Sequence, residues 1–312
     1  MDALIGKSYT WERAFIQFHE KGELATPWVR GAYTFLDTYR VRAVWAGFAH
    51  VLTFDATYAQ FTSVRESDGN TVVGRILQPE QQSTIPSVRI DYKHASTELC
   101  ELGRRYNVDK SSQRENPGPD DSHHCHPYSL LYHALFRKRR QDPLAVCEIG
   151  IAEGRSLLMW DEYFPHATIY GFEYMSKWLL HWKDNYSHKS RIHVDYMNVQ
   201  KEADIITPFH STGVQFDCII DDSSHLFYDM IRIIRSAKTF LKPGGLMIIE
   251  DIRREYDEAW FYNELKDILG EFQTVCFVDL DHARRNSGNV NNDKVLLLVK
   301  QGGAPIFDCT FF

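Results

Sequence analysis

Residues 144–154, LAVCEIGIAEG, decide the fold. Residues 144–147 are a continuous apolar run, the mark of a strand buried on both faces. Glu148, Ile149 and Gly150 end it, and Gly154 follows before a helical pattern begins. Glycines at such a turn let backbone come close to a ligand, and the helix that follows offers unpaired N–H groups. Downstream, the same texture recurs as TIYGFE (168–173), RIHV (191–194), FDCIID (216–221), LMIIED (246–251), TVCFVDL (274–280) and KVLLLV (294–299). Amphipathic stretches such as YDMIRIIRSAKTFL (228–241) separate them. The alternation predicts an α/β fold, a doubly wound Rossmann-like sheet over residues 143–312.

Upstream the texture differs. Residues 9–77 are rich in aromatic and β-branched residues punctuated by glycine, with alternation at Tyr39, Val41, Ala43 and Trp45 and a turn signal, SDG, at 67–69. This reads as a small antiparallel β module over residues 1–85. Residues 86–142 read as linker and helical lead-in. QPEQQSTIPSVRIDY (78–92) is polar and holds two prolines, STELCELGRRYNV (96–108) and YSLLYHALFRKRR (128–140) have helical spacing, and residues 111–124 form a loop.

Composition narrows the class. With 44% hydrophobic residues among 312, the chain can build a core, which excludes a disordered or fibrous protein. A net charge of −7 argues against general affinity for nucleic acid or a membrane surface. No apolar run is long enough to cross a bilayer, and MDALIGKSYTWERAF lacks the layout of a signal peptide. The six scattered cysteines suit a reduced compartment. A soluble, cytoplasmic protein is expected, with homo-oligomerisation left open.

The carboxyl end of the second strand is an acid, Glu173, placed to take both hydroxyls of a ribose, and Asp195 follows the third strand. The glycine pattern GxGxxG is absent, LKPGG (241–245) precedes the fifth strand, and two strands close the chain. Together these features resemble the class I S-adenosylmethionine-dependent methyltransferases over roughly residues 94–300. The resemblance implies S-adenosylmethionine as cofactor, held by Glu148, Gly150, Gly154, Glu173 and Asp195.

FDCIIDDSSHLFYDM (216–230) carries the chemistry. Asp221, Asp222 and His225 follow the fourth strand, and Glu250 and Asp251 end the fifth. Carboxylates converging at one sheet edge repel unless protonated or shared by a cation, and oxygen ligands from short acids suit Mg2+. The segment resembles the metal-dependent sugar O-methyltransferases of macrocin and mycinamicin type, which carry a DD-G-S-H motif and an ED pair; here Ser223 stands in place of the glycine. The resemblance implies Asp222, Glu250 and Asp251 as metal ligands and His225 as general base, with Asp221 near the cofactor's reactive end or capping the turn. The family's upstream TDK, H-x-Y and Y element matches Val108-Asp109-Lys110, His126-Pro127-Tyr128 and Tyr132, which places Lys110, His126 and Tyr128 at the cofactor. A divalent ion that chelates two neighbouring oxygens lowers the pKa of an attacking hydroxyl, and an imidazole removes its proton.

The expected acceptor is thus a hydroxyl of a sugar or glycoconjugate. Two alternatives stand beside it: a catechol-like small-molecule acceptor, and a non-catalytic glycan-binding or scaffold protein. His123, His124, Cys125 and His126 lack a second ligand pair for zinc. The basic run 137–140 reads as a helix end, Arg284 and Arg285 as a loop or an anion contact, and Trp11, Trp28 and Trp45 as module core rather than a sugar platform.

Overall fold

A computed structural model of the chain describes residues 4–11, 14–26, 29–77, 85–115, 124–287 and 290–309. The chain divides into two compact units, Met1–Gln82 with Leu226–Tyr228, and Ser83–His225 with Asp229–Phe312.

In the first unit, eight strands pair in chain order: β1 Ser8–Trp11, β2 Ala14–Phe18, β3 Glu23–Ala25, β4 Arg30–Phe35, β5 Arg40–Trp45, β6 Phe48–Phe54, β7 Gln60–Arg65 and β8 Thr71–Leu77. All neighbours are antiparallel. β1 also pairs with β8, Ser8 opposite Leu77 and Tyr9 opposite Ile76, so the expected module is a closed barrel. Alternation sorts its side chains: in β5, Val41, Ala43 and Trp45 are buried while Arg40 and Arg42 face solvent. Trp11 and Trp45 meet edge to face at 4.8 Å in the core and form no surface platform; Trp28 lies outside the described residues. His50 stacks on Trp45 at 4.4 Å with Nδ1 3.2 Å from Ser63 Oγ. Burial, and then Arg65, hold its pKa below the ordinary value.

The second unit is one mixed sheet. Its strands are β9 Ser87–Asp91, β10 Ala145–Ile149, β11 Thr168–Glu173, β12 Ile192–Tyr196, β13 Phe216–Asp221, β14 Leu241–Ile252, β15 Phe272–Asp281 and β16 Lys294–Lys300. They run in the order β12-β11-β10-β13-β14-β16-β15-β9, and β16 alone is antiparallel to its neighbours. The expected strands are all present, and LKPGG is drawn into β14. One expectation fails. Ser87–Asp91, read as linker, is a strand that pairs in parallel with β15 from Ser87 opposite Phe277 to Asp91 opposite Asp281. It sits at the sheet edge, where a strand needs no continuous apolar run.

The helices are α1 Glu98–Arg105, α2 Tyr128–Phe136, α3 Arg155–Tyr163, α4 Ser176–Tyr186, α5 Glu202–Thr212, α6 Phe227–Ala237 and α7 Glu258–Leu265. Thr97 caps α1 by accepting the Cys100 N–H. The basic run after α2 is spent on ion pairs: Lys138 with Asp308, Arg139 with Asp142 and Arg140 with Glu98. No described helix is long and apolar enough to cross a membrane. The core gathers Tyr132, Phe136, Trp160, Tyr163 and Phe164 beside the fully buried faces of β10, β13 and β16. The strand order reverses between β10 and β13, and ligands of such sheets bind at the carboxyl ends beside that point.

Candidate active site

The glycine turn lies at the reversal. Gly150 has φ +86°, donates its N–H to Phe172 O at 2.8 Å, and passes so near the next strand's exit that an added Cβ would fall 2.2 Å from Asp222 O. Only glycine fits both the left-handed backbone and the space. Gly154, φ +80°, opens α3. Glu173, at the end of β11, is buried; its carboxylate accepts N–H bonds from Ala152 at 2.9 Å and Met175 at 2.7 Å. It thereby ties the glycine turn to its own strand end, with lone pairs left over. Asp195 is exposed on β12, accepts the Tyr196 N–H at 2.7 Å, and lines a groove with Tyr170, Phe172, His193, Ser211 and Thr212.

The carboxylates gather beside this turn. Tyr128 and Tyr132, one turn apart on α2, reach consecutive acids at the end of β14: Tyr132 donates to Glu250 Oε1, and Tyr128 lies 2.6 Å from Asp251 Oδ1. Lys110 is buried with its Nζ against Asp222 Oδ2, 2.5 Å from Glu250 Oε2 and 3.4 Å from Glu148 Oε1. Burial opposes that charge, but Asp222, Glu250 and Glu148 together raise the Lys110 pKa well above the ordinary value. Glu148 Oε2 accepts the Trp160 indole N–H at 2.7 Å. His126 is buried too, stacked on Tyr128 at 4.9 Å, with Nδ1 2.7 Å from Asp293 Oδ1 and Nε2 3.7 Å from Asp251 Oδ1. Its burial is outweighed by Asp251 and Asp293, which push its pKa up to about 9.

Lys110, His126, Tyr128 and Glu148, expected at the cofactor, are engaged with one another and with the carboxylate cluster, because so many buried acids need cations and donors. Glu250, expected as a metal ligand, meets Lys110 Nζ with Oε2 and accepts from the Tyr132 hydroxyl with Oε1. Asp221 accepts from Ser223 N–H at 3.2 Å and Ser223 Oγ at 2.6 Å and so caps its own turn; burial pushes its pKa up to about 6. Tyr132 enters the sequence reading only through a motif, and its one-turn spacing from Tyr128 is the signal that points to it. Asp293, which orients His126 and accepts from Ser287 Oγ at 2.7 Å and Arg285 Nη1 at 2.5 Å, had no sequence signal. Arg285 is thereby committed to the protein.

What stays open is a triangle of donors. Asp222, His225 and Asp251 each offer one ligand atom within 4.8 Å of the others, the one such group among the described residues; His124, Cys125 and His126 form none, and His123 lies outside the described residues. His225 Nε2 lies 3.6 Å from Asp251 Oδ2 and 4.0 Å from Asp222 Oδ1. Both His225, φ +55°, and Asp251, φ +58°, hold left-handed backbone. Each costs about 1 kcal/mol or more, and such strain persists where the surroundings over-determine it, often at functional sites. Burial pushes the Asp222 pKa up to about 7, with Lys110 opposing and Asp251 adding. Two hard carboxylate oxygens facing the same space fit a divalent cation such as Mg2+, which binds through one or two carboxylates and keeps its other positions for water or substrate.

A sheet of this order with its last strand reversed, a glycine turn at the reversal and an acid ending the next strand is the arrangement expected from the sequence's resemblance to class I S-adenosylmethionine-dependent methyltransferases. The chain's sequence relatives include O-methyltransferases. The 8-demethyl-8-(2-methoxy-alpha-L-rhamnosyl)-tetracenomycin-C 3'-O-methyltransferase of Streptomyces olivaceus is 31% identical over 138 residues, 42% of this chain and 33% of that protein. Mycinamicin VI 2''-O-methyltransferase of Micromonospora griseorubida is 27% identical over 197 residues, 59% of this chain and 43% of that protein. The matches thus span less than half of either relative's length. The crystal structure of MycE methyltransferase with Mg and SAH aligns at 22% identity and a TM-score of 0.47, over 68% of this chain and 58% of that one. No protein-family model matches the chain.

Proposed function

We propose that the protein transfers the methyl group of S-adenosylmethionine to a hydroxyl of a sugar or glycoconjugate, with a divalent cation bound by Asp222 and Asp251 and with His225 as general base. The observation that carries this reading is the triangle Asp222, His225 and Asp251 at the carboxyl ends of β13 and β14, beside the glycine turn. The sugar acceptors named for the relatives support the substrate class. Glu173 takes the ribose hydroxyls, and the turn from Gly150 to Gly154 accommodates the rest of the cofactor with backbone alone. Asp222 and Asp251 present the oxygens that face His225. The cation, when bound, supplies Lewis acidity that lowers the pKa of an acceptor hydroxyl. His225 Nε2 then takes the proton that the attacking oxygen loses. Tyr128 and His126 hold Asp251 from behind, so its free oxygen is aimed before any ligand arrives.

The test is mass spectrometry of a glycoside pool incubated with methyl-labelled S-adenosylmethionine. Label should appear on sugar hydroxyls and vanish with EDTA. Label confined to vicinal phenols would replace the acceptor class, and label that is indifferent to EDTA would remove the cation.

A further inference from the structure

We propose that β12 is a pairing edge for a second copy of this chain: two β12 strands join antiparallel about a twofold axis at Val194 and continue the sheet across the interface. β12 stands at one end of the strand order and pairs only with β11. Arg191 O accepts the Ile169 N–H and the Met197 N–H donates to Glu173 O, so both face β11. Main-chain groups alternate in direction along a strand, which turns those of Ile192, Val194 and Tyr196 outward. Edge strands that stay single are blunted by proline, basic side chains or a bulge. β9, at the far edge, follows Pro86 and carries Arg89. β12 reads IHVDY, without proline, lysine or arginine, and its register against β11 is unbroken.

The strand complements itself in one register. With Val194 opposite Val194 of the second copy, Ile192 faces Tyr196 and His193 faces Asp195, each twice. Ile192, Val194 and Tyr196 then fall in hydrogen-bonded positions. His193 and Asp195 fall between them, where Cα atoms approach to about 4.5 Å. Both side chains are exposed, so an imidazole meets a carboxylate at each crossing. Sliding one strand by two residues either way sets His193 against His193 or Asp195 against Asp195. In the single chain the Tyr196 N–H turns to Asp195 Oδ1 at 2.7 Å. Pairing gives it Ile192 O of the second copy and releases the carboxylate to His193. The helices agree with this register. α4 packs over β11 and β12. Strands lie about 4.8 Å apart, so the α4 helices of two joined sheets stand about 10 Å apart, an ordinary helix–helix distance. On the opposite face, His193 and Asp195 line the groove described above, open to a facing side chain.

Sedimentation equilibrium of the full chain across the micromolar range tests the pairing. Wild type should show twice the 36.4 kDa mass of one chain, or a multiple of that pair. Val194→Pro removes only an outward N–H, so it should melt within a few degrees of wild type and halve the mass. His193→Asp sets carboxylates against each other and should raise the dissociation constant about tenfold or more; adding Asp195→Lys should restore association. Mild oxidation of His193→Cys mixed with Asp195→Cys should yield a disulfide between the two variants that neither gives alone. A monomeric wild type overturns the inference and leaves the edge to a different chain. A Val194→Pro protein of unchanged mass, or absence of the mixed disulfide, overturns it as well. Should Val194→Pro fail to fold, the charge pair decides: unchanged association in His193→Asp, or no rescue by Asp195→Lys, overturns the proposal.

Discussion

Gly150→Ala should unsettle the turn and the carboxylate cluster at once. At φ +86° an alanine costs about 1–2 kcal/mol relative to glycine. Its Cβ would also sit 2.2 Å from Asp222 O, 2.6 Å from Asp222 C and 2.6 Å from Ser223 Cα, all backbone atoms with no rotamer to escape into. Reaching ordinary contact needs a shift of about 1 Å, against carbon contact distances of about 3.5–4 Å. That shift strains the bond from Asp222 N–H to Ile149 O, now 2.8 Å, which contributes about 1 kcal/mol. The total is about 2–4 kcal/mol. For a unit of this size the melting midpoint should fall by about 5–10 °C. Since Asp222 moves, Mn2+ affinity should drop about tenfold or more, and turnover about 10²-fold. Gly154→Ala is the control. It has the same backbone strain, but its Cβ meets the Trp182 ring at 2.4 Å, so stability should fall while Mn2+ binding holds. Calorimetry of melting and of Mn2+ binding reads both. Wild-type melting and Mn2+ affinity in Gly150→Ala would refute the claim that the turn and the Asp222 exit are one packed unit.

Three further outcomes follow. Glu173→Ala should weaken S-adenosylmethionine binding by an order of magnitude or more, since charge-assisted bonds contribute about 1.5–3 kcal/mol each; unchanged calorimetric affinity takes Glu173 out of the site. His225→Ala should keep its fold and cofactor affinity while turnover falls about 10²–10⁴-fold, and near-normal turnover would pass the base role to another group. His50 has a folded pKa below its unfolded 6.5, so the unfolded chain binds more protons in acid and stability is lost as pH falls below about 6.5. His50→Gln keeps a partner for Ser63 and removes the titration, so its melting midpoint should fall less between pH 7.5 and 5.5; equal slopes for the two proteins would exclude His50 as the source.

The strands that position the site were legible because burial on both faces demands unbroken apolar runs. TIYGFE and FDCIID match β11 and β13 residue for residue. Their terminal acids could be read as site residues because nothing in a buried run otherwise favours a carboxylate. β9 was missed for the opposite reason. It has one strand neighbour, alternates half-buried with exposed residues, and follows a proline. Barrel closure was also invisible, since it depends on β1 meeting β8 across the whole module, and no local pattern encodes that meeting. Within the site, the sequence showed which acids would crowd together but not how their charge is balanced. A motif names Lys110 and His126, and only packing reveals that one serves Asp222 and Glu250 while the other bridges Asp251 and Asp293.

The closing pair of strands in the barrel has a consequence for how the module can be handled by evolution or by engineering. Ser8 and Leu77 stand opposite one another, so chain enters and leaves on adjacent strands, about 4.8 Å apart at the same rim. A barrel with neighbouring ends is a cassette: splicing its eight strands in or out asks the host chain to bridge about one strand spacing. Among the described residues the ring leaves no strand edge unpaired to seed pairing with another chain, so such a transplant carries little risk of aggregation through those strands.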